Sequence, residues 1–283
     1  MAHQKISFLR DVPSLRQQVA QWHREGLKVA VVPTMGALHD GHLSLVRRGF
    51  ETADRVIATI FINPKQFAAH EDLGRYPRDE AGDLAKFTSV GTSAVFAPLA
   101  EVVYPAGFAT SIHMEGPAKV GLEDAFRPQF FDGVATVVTK LFTQTAADYA
   151  LFGEKDYQQL KVVSRMARDL DLPIEIVGVP TTREADGLAM SSRNAYLSAA
   201  ERQVATAIYR TLNEAGAMIR AGANPAQGEG YGAAALSALG FKVDYVAARN
   251  AETLAKPTSA REPLRLLAAA WLDKTRLIDN IAV

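Results

Sequence analysis

Two histidines, His39 and His42, lie three residues apart in a turn that separates an apolar stretch from a helical pattern. The apolar stretch ends at residue 32, and apolar residues recur at helical spacing over 43–53. A strand, a glycine-containing turn and a helix start together favour phosphate binding, because unpaired N–H groups and the helix dipole attract anions. Glycines in the turn carry no Cβ and let a ligand approach the backbone. Two imidazoles beside such a turn predict chemistry on a nucleotide.

Two other interpretations of these motifs are disfavoured. A zinc site built on His39 and His42 would need a third ligand and a suitably spaced glutamate, and neither is evident in the sequence. The stretch 228–233 matches the Gly-x-Gly-x-x-Gly/Ala pattern of dinucleotide-binding folds, but it follows the polar segment 224–227 where that motif needs a strand. We therefore reject it as a cofactor site. No Gly-x-x-x-x-Gly-Lys-Ser/Thr motif occurs, which disfavours a P-loop nucleotide hydrolase.

The composition favours an ordinary globular protein. The chain has 283 residues, 48% of them hydrophobic, with 31 basic and 31 acidic residues and no cysteine. This balance predicts no nucleic-acid or membrane partner and excludes thiolate chemistry and disulfides. The start of the chain has no apolar signal core, and apolar runs such as 266–272 are too short to span a bilayer. We therefore expect a cytoplasmic protein.

Helical and strand patterns alternate over the first two thirds of the chain. Helices are predicted over 12–25, 43–53, 134–145, 157–170 and 199–219, and strands over 28–32, 56–62, 93–96, 149–152, 174–179 and 241–246. The strands before 180 are continuously apolar, as strands covered on both faces are. The prediction is an α/β protein with a Rossmann-like parallel-sheet domain over 1–180, which binds the ligands, and a smaller α+β domain over 181–283.

Polar loops follow four apolar stretches, at or beyond the ends of predicted strands. In a parallel sheet these loops share one edge, where ligands bind. Their lysine, arginine, serine and amide groups suit a polyphosphate and a second polar substrate. Each loop alone has an ordinary explanation, such as a turn, an exposed charge or self-capping, so the prediction depends on their joint placement. The loops are 33–42, 63–67, 153–159 and 190–194.

Five segments resemble the pantothenate synthetase family in order and spacing. The resemblance extends from about residue 30 to 197 and continues weakly to the C-terminus. Residues 39–42 also resemble the His-x-Gly-His element of a wider nucleotidyltransferase superfamily, and 190–193 resemble its second, mobile phosphate-binding loop. The five segments are 33–42, 61–67, 76–78, 153–159 and 190–194.

This resemblance implies a two-step reaction. Pantoate and ATP would give pantoyl adenylate and pyrophosphate, and the amine of β-alanine would then release AMP and form pantothenate. Mg²⁺ would accompany ATP. The resemblance also implies a homodimer and an active site between the N-terminal domain and a C-terminal lid domain.

The resemblance further implies roles for individual residues. His42 would be a general acid or phosphate stabiliser, with His39, Lys155 and Arg193 as the other catalytic residues. Gln66, Gln159 and Asn63 would bind pantoate or β-alanine, Asp83 would face Mg²⁺, and the backbone of Thr182 would meet adenine. The implied ATP-binding residues are Met35, Gly36, Ala37, Leu38, His39, Asp40, Gly41, His42, Gly153, Glu154, Lys155, Asp156, Thr182, Met190, Ser191, Ser192 and Arg193.

The chain departs from the family pattern at two positions. Phe130 replaces a histidine that the family usually has in Pro-Gly-His-Phe, and Thr182 stands where valine is common. Neither change affects the main phosphate residues. Two alternatives stay open from the sequence: another adenylate-forming or nucleotidyl-transferring enzyme of the superfamily, and a non-catalytic nucleotide-binding protein.

Overall fold

The structure, a computed structural model, describes residues 6–67, 72–259 and 262–283. Contacts among these residues divide the chain into two units. Unit 1 holds the described residues of Met1–Met114, Arg127–Glu154 and Val162–Pro180, and unit 2 holds those of Glu115–Phe126, Lys155–Lys161 and Thr181–Val283. Domains of 1–180 and 181–283 stay a prediction.

Unit 1 is built on a sheet of six parallel strands in the order β1-β4-β3-β2-β5-β6. Strand β2 is fully buried and pairs with β3 on one side and β5 on the other, so the strand order reverses there. Ligands bind at such a reversal, outside the carboxyl ends of the strands. The strands are β1 Ser7–Leu9, β2 Val29–Val32, β3 Arg55–Thr59, β4 Ala94–Phe96, β5 Tyr149–Gly153 and β6 Glu175–Val179.

Helices connect these strands, and they pack apolar side chains on the sheet. Helix α2 buries Leu43 and Val46 in one core with Val32, Val56 and Leu151. Three elements of this unit, β1, α3 and α4, were not predicted from the sequence. The first seven helices are α1 Val12–Arg24, α2 Asp40–Thr52, α3 Glu80–Ser89, α4 Ala100–Val103, α5 Glu123–Phe126, α6 Phe130–Thr145 and α7 Tyr157–Asp169; α5 and the first turns of α7 belong to unit 2.

Unit 2 contains a three-stranded antiparallel sheet in the order β7-β8-β9. The predicted helix over 199–219 is two helices, which meet at Thr206. Helices α5 and α10 and strand β9 were not predicted, and β8 was recognised only as an apolar run. The elements are α8 Ala199–Ala205, α9 Ala207–Arg220, α10 Pro225–Ala238, β7 Lys242–Asn250, β8 Leu264–Leu272 and β9 Thr275–Ala282. The predicted fold class, a parallel α/β sheet followed by a smaller α+β part, is confirmed.

The glycine-rich stretch 228–233 lies inside helix α10. Its glycines allow close packing: a Cβ on Gly228 would come within 2.8 Å of Ile219, and one on Gly232 within 2.9 Å of Val246. A helix interior lacks the strand-to-helix turn of a dinucleotide site, so rejecting this stretch as a cofactor site agrees with the structure. In the part of the chain that the structure describes, no helix has the length and apolar character needed to cross a membrane.

Candidate active site

A buried carboxylate fixes the turn between β2 and α2. The two side-chain oxygens of Asp83, on α3, accept the backbone N–H groups of Ala37 and Leu38, each at 2.8 Å. Gly36 and Ala37 have φ values of 82° and 52°, and a Cβ on Gly36 would lie 2.8 Å from an Asp83 oxygen. Both residues therefore have the left-handed backbone conformation, and glycine occupies the position where a Cβ would collide with Asp83. Lys86, also on α3, donates to the carbonyl of Leu38 at 2.8 Å.

The two histidines form the start of helix α2. His39 is the N-cap, and its Nδ1 accepts the N–H of Gly41 at 3.2 Å, while Nδ1 of His42 accepts the N–H of His39 at 3.2 Å. The two rings lie 4.1 Å apart between centroids. A nitrogen that accepts carries no proton, so each neutral ring has its proton on Nε2. Both rings lie at the N-terminus of α2, the positive end of the helix.

The position of Asp83 does not fit a resident Mg²⁺ site. Asp83 is 2% exposed, and both of its carboxylate oxygens already accept backbone N–H groups. Mg²⁺ requires several oxygen ligands in octahedral geometry. Over residues 6–67, 72–259 and 262–283, no group of three or more His, Asp or Glu side chains gathers in a way that could hold a metal ion. Asp83 therefore shapes the turn.

Asn63 holds Gln66 at the end of the next strand. The Asn63 Nδ2 donates to Gln66 Oε1 at 3.1 Å and to the Gly133 carbonyl at 3.0 Å, and its Oδ1 accepts from the Tyr104 hydroxyl at 2.8 Å. Burial raises the pKa of Tyr104, which keeps this hydroxyl a donor. Asn63 itself is 1% exposed. Its amide is therefore engaged within the protein.

Gln66 points its amide toward a sulfur atom. The Nε2 group lies 2.9 Å from the Sδ of Met35, and a thioether is a weak acceptor. A carboxylate or hydroxyl oxygen of a substrate would be a better partner. On helix α6, Gly133 allows the approach of this segment, because a Cβ there would meet the Lys65 carbonyl oxygen at 2.3 Å.

Phe130, which stands where the family usually has histidine, packs against an arginine side chain. The guanidinium carbon of Arg127 lies 3.7 Å from the centroid of the Phe130 ring, a cation–π contact. The same guanidinium donates from Nη2 to the backbone carbonyl of Gln66 at 3.2 Å. The phenylalanine thus packs an arginine that contacts the Gln66 backbone.

Lys155 lies in a 3-10 turn, Glu154–Asp156, that follows β5 and leads into α7. Its ammonium is 3.8 Å from Asp156, beyond hydrogen-bond distance, and its side chain is 20% exposed.

On α7, Gln159 is half-buried, whereas the neighbouring Gln158 is fully buried. Gln158 donates to the Pro117 carbonyl and accepts the N–H of Glu123, so it has a structural role.

The last candidate loop is closed by side-chain pairs around Glu184. Its Oε1 accepts from Asn194 Nδ2 at 3.1 Å, and its Oε2 accepts from Arg202 at 2.7 Å. Asp186 also pairs with Arg202 at 2.8 Å. Burial raises the pKa of Asp186, but hydrogen bonds from Leu188 and Arg202 outweigh it, so the pKa lies below its usual value.

Within this loop, backbone contacts bring the predicted residues together. The N–H of Met190 donates to the carbonyl of Thr182 at 3.0 Å, and Ser191 caps the 3-10 helix Ser192–Tyr196 by accepting the N–H of Arg193. Ser191, Ser192 and Arg193 are half-buried.

The predicted site residues form two sets, one in each unit. Unit 1 holds one set and brings many of its members into contact; it comprises Met35, Gly36, Ala37, Leu38, His39, Asp40, Gly41, His42, Asn63, Gln66, Asp83, Gly153 and Glu154. The second set, in unit 2, comprises Lys155, Asp156, Gln159, Thr182, Met190, Ser191, Ser192 and Arg193. That both sets bind one nucleotide stays a prediction. Sequence reasoning missed Tyr104 and Glu184, because an isolated tyrosine or glutamate carries no motif.

Comparisons with known proteins agree with the family resemblance of the sequence. A sequence model of the family described as Pantoate-beta-alanine ligase matches residues 7–282. The chain is 56% identical over 275 residues to pantothenate synthetase 2 of Bradyrhizobium diazoefficiens, covering 97% of each chain. The crystal structure of pantothenate synthetase from Thermus thermophilus matches with a TM-score of 0.92 and 44% identity, covering 98% of this chain and 99% of that one.

A third relative was solved with ligands. Pantoate-beta-alanine ligase from Francisella tularensis, complexed with beta-gamma ATP and beta-alanine, matches with a TM-score of 0.83 and 29% identity, covering 98% of both chains. The family resemblance noted in the sequence is therefore confirmed.

Proposed function

Since the chain belongs to the pantoate-beta-alanine ligase family, we propose that it condenses pantoate with β-alanine through a pantoyl adenylate. A carboxylate oxygen of pantoate attacks the α-phosphorus of ATP, the bond to the β-phosphate oxygen breaks, and pyrophosphate leaves. The amine of β-alanine then attacks the activated carbonyl carbon, loses a proton, and expels AMP. The products are pantothenate, AMP and pyrophosphate.

The observation that carries this proposal is the paired histidine start of helix α2. Both Nδ1 atoms accept backbone N–H groups, so the proton of each neutral ring lies on Nε2, next to the positive helix end. Charge that develops on phosphate oxygens during the first step needs such fixed donors. We assign His42 to stabilise that charge, with His39 beside it, and the residues from Met35 to Gly41 to line the nucleotide.

We assign the amide of Gln66 to pantoate and later to β-alanine. Its only weakly satisfied Nε2 group, 2.9 Å from a thioether, suits a substrate oxygen without adding charge. Asn63 acts through Gln66, because its own amide is held by Gln66, Gly133 and Tyr104. Gln159 is the second amide proposed for pantoate.

The residues of unit 2 supply positive charge in this proposal. Lys155 and Arg193 contact the phosphates, and Gly153, Glu154 and Asp156 line the nucleotide beside Lys155. Met190, Ser191 and Ser192 cover the phosphates, and the Thr182 backbone meets adenine. Mg²⁺ is proposed as a companion of the ATP phosphates and not as a ligand of Asp83, whose oxygens are engaged. A homodimer and a cytoplasmic location also stay predictions.

Product analysis tests the function directly. The purified protein is incubated with ATP, Mg²⁺, pantoate and β-alanine, and the products are identified by mass. We expect AMP and pantothenate in equal amounts, and exchange of labelled pyrophosphate into ATP that requires pantoate but not β-alanine. Release of ADP, or exchange without pantoate, would contradict the proposal and indicate another nucleotidyl-transfer reaction. Binding of ATP with no AMP formed would indicate a nucleotide-binding protein.

A further inference from the structure

A buried amide of the last strand contacts the backbone of Lys155. Asn280, on β9, is 2% exposed, and its Nδ2 donates to the carbonyl oxygen of Lys155 at 2.9 Å. Both residues belong to unit 2. The contact joins residues that are 125 positions apart in the chain. Strand β9 also packs against the 3-10 helix Ser192–Tyr196. It therefore contacts both segments of this unit that carry a cation proposed to bind phosphate, Lys155 and Arg193.

An arginine fixes which way this amide faces. Arg265, on β8, donates from Nε to Asn280 Oδ1 at 2.5 Å. The oxygen of the amide must face this donor, and the NH₂ group must then face the Lys155 carbonyl. Arg265 is itself held over the Tyr157 ring, with its guanidinium carbon 4.2 Å from the centroid. Tyr157 is anchored by donating its hydroxyl proton to the Ala251 carbonyl at 2.8 Å.

The arrangement leaves the lysine side chain to act while its backbone is held. The Lys155 ammonium is 3.8 Å from Asp156, which is longer than a hydrogen bond. A long side chain directs its charge well only when its own backbone does not move, since small misplacements cost much of the benefit of orientation. The β8–β9 pair supplies that restraint through one oriented amide.

We infer that Asn280, oriented by Arg265, is a positioning residue for Lys155 and so sets how well the protein uses ATP. This inference rests on the proposed function, in which Lys155 contacts the phosphates. Asn280 would not touch the nucleotide. Its effect should therefore appear in ATP use and vanish when Lys155 has no ammonium to position.

The first test compares Asn280→Ala and Asn280→Asp by steady-state kinetics. Asn280→Ala removes the donor, and we expect KM for ATP to rise roughly 5- to 10-fold while KM for pantoate changes less than about twofold. Asn280→Asp keeps a partner for Arg265 but places an oxygen against the Lys155 carbonyl. It should therefore raise KM for ATP at least as much. A merely structural role of the Arg265 contact would instead leave Asn280→Asp near normal, which would overturn the inference.

The second test asks whether the effect passes through Lys155. Lys155→Ala alone should raise KM for ATP strongly, and adding Asn280→Ala to it should change that value less than about twofold, because coupled residues are not additive. Additive losses would overturn the inference. A Lys155→Ala variant with normal ATP use would instead contradict the proposed role of Lys155 itself, so the two failures are distinguishable.

A control separates positioning from loss of stability. Asn224 caps helix α10 of the same unit, where its side chain accepts the N–H of Ala226 at 2.9 Å. Asn224→Ala should lower the unfolding temperature and leave KM for ATP unchanged. If Asn280→Ala and Asn224→Ala behaved alike in KM, the inference would be wrong. Should Asn280→Ala fail to fold, the Asn280→Asp variant carries the same comparison.

Discussion

The two turns proposed to contact the nucleotide are held by different chemistry. The turn 33–39 in unit 1 is fixed through its own backbone, because two of its N–H groups donate to the buried carboxylate of Asp83. The loop 182–194 in unit 2 begins at a largely buried pair between Arg183 and Asp279. Beyond it, Glu184 and Asp186 pair with Arg202, and Glu184 also accepts from Asn194. The first turn is therefore anchored inside the protein, whereas the part of the second loop beyond Arg183 is anchored near the surface.

The two anchors differ in strength. Charge-assisted hydrogen bonds to a buried group are costly to break, since each unsatisfied donor costs about 1–3 kcal/mol. Ion pairs near the surface contribute about 0–1 kcal/mol, and the side chains of Arg202, Glu184 and Asp186 are 27%, 34% and 46% exposed. The first turn is thus built to keep its shape, and the part of the second loop beyond Arg183 can exchange partners at little cost. The proposed reaction would use both properties, with one preformed phosphate site and one loop that rearranges over the proposed adenylate.

The largest effect should come from the preformed turn. We expect His42→Ala to lower kcat roughly 10²- to 10⁴-fold, the range typical of one acid–base or charge-stabilising group. The measurement is steady-state turnover at saturating substrates. His113→Ala is the matched control, because His113 belongs to the same unit and pairs with Asp132 at its surface. Turnover of His42→Ala within threefold of the control would remove the proposed role.

The next effect concerns the anchor of that turn. In Asp83→Asn, an NH₂ group faces one of the two N–H donors, and we expect the free energy of unfolding to fall by about 1–3 kcal/mol. Thermal unfolding measures the loss, and Asp79→Asn is the control, since asparagine can still cap α3 from that position.

The same variant separates a shaping role of Asp83 from a metal-binding role. Turnover of Asp83→Asn should be lower at every Mg²⁺ concentration, with the midpoint of Mg²⁺ activation unchanged. Recovery of turnover at high Mg²⁺ would mean that Asp83 binds the ion, contrary to the contacts of its two oxygens.

The smallest effect should come from the surface anchor. Glu184→Gln keeps the acceptor for Asn194 but removes the charge that faces Arg202, so we expect unfolding stability to change by less than about 1 kcal/mol. KM for ATP should rise roughly two- to fivefold, because the loop is less often in its binding arrangement. Asp169→Asn, which removes a similar exposed pair with Arg165, is the control. A stability loss as large as that of Asp83→Asn would show that the two anchors do not differ.

The sequence predicted the strands and loops of this comparison but not the anchors. Apolar runs identified β2, β3 and β5, and turn glycines and paired histidines identified the first loop. Helix α3 was missed, because its few apolar residues and internal glycine give a weak helical pattern over Glu80–Ser89. Its Asp83 lies 46 residues from the N–H group of Ala37 that it accepts, and no local pattern reports such a pairing.

Helix α10 and strand β9 of unit 2 were missed for related reasons. Helix α10 contains three glycines, which lower helix propensity, and two of them admit Ile219 and Val246. In strand β9, the buried polar pair Asp279 and Asn280 interrupts the apolar pattern, because these side chains bind Arg183, Arg265 and the Lys155 backbone. Buried polar residues that bind distant parts of the chain therefore weaken the apolar pattern by which a strand is recognised in the sequence.

The most direct test of the account is a crystal structure of this chain with a non-hydrolysable ATP analogue and pantoate. We predict phosphate oxygens within hydrogen-bond distance of His42 Nε2, Lys155 Nζ and the Ser191–Arg193 segment, with 33–39 unchanged and 184–194 rearranged. A nucleotide that contacts only one of the two sets of residues, or a turn 33–39 that reshapes around it, would contradict the account.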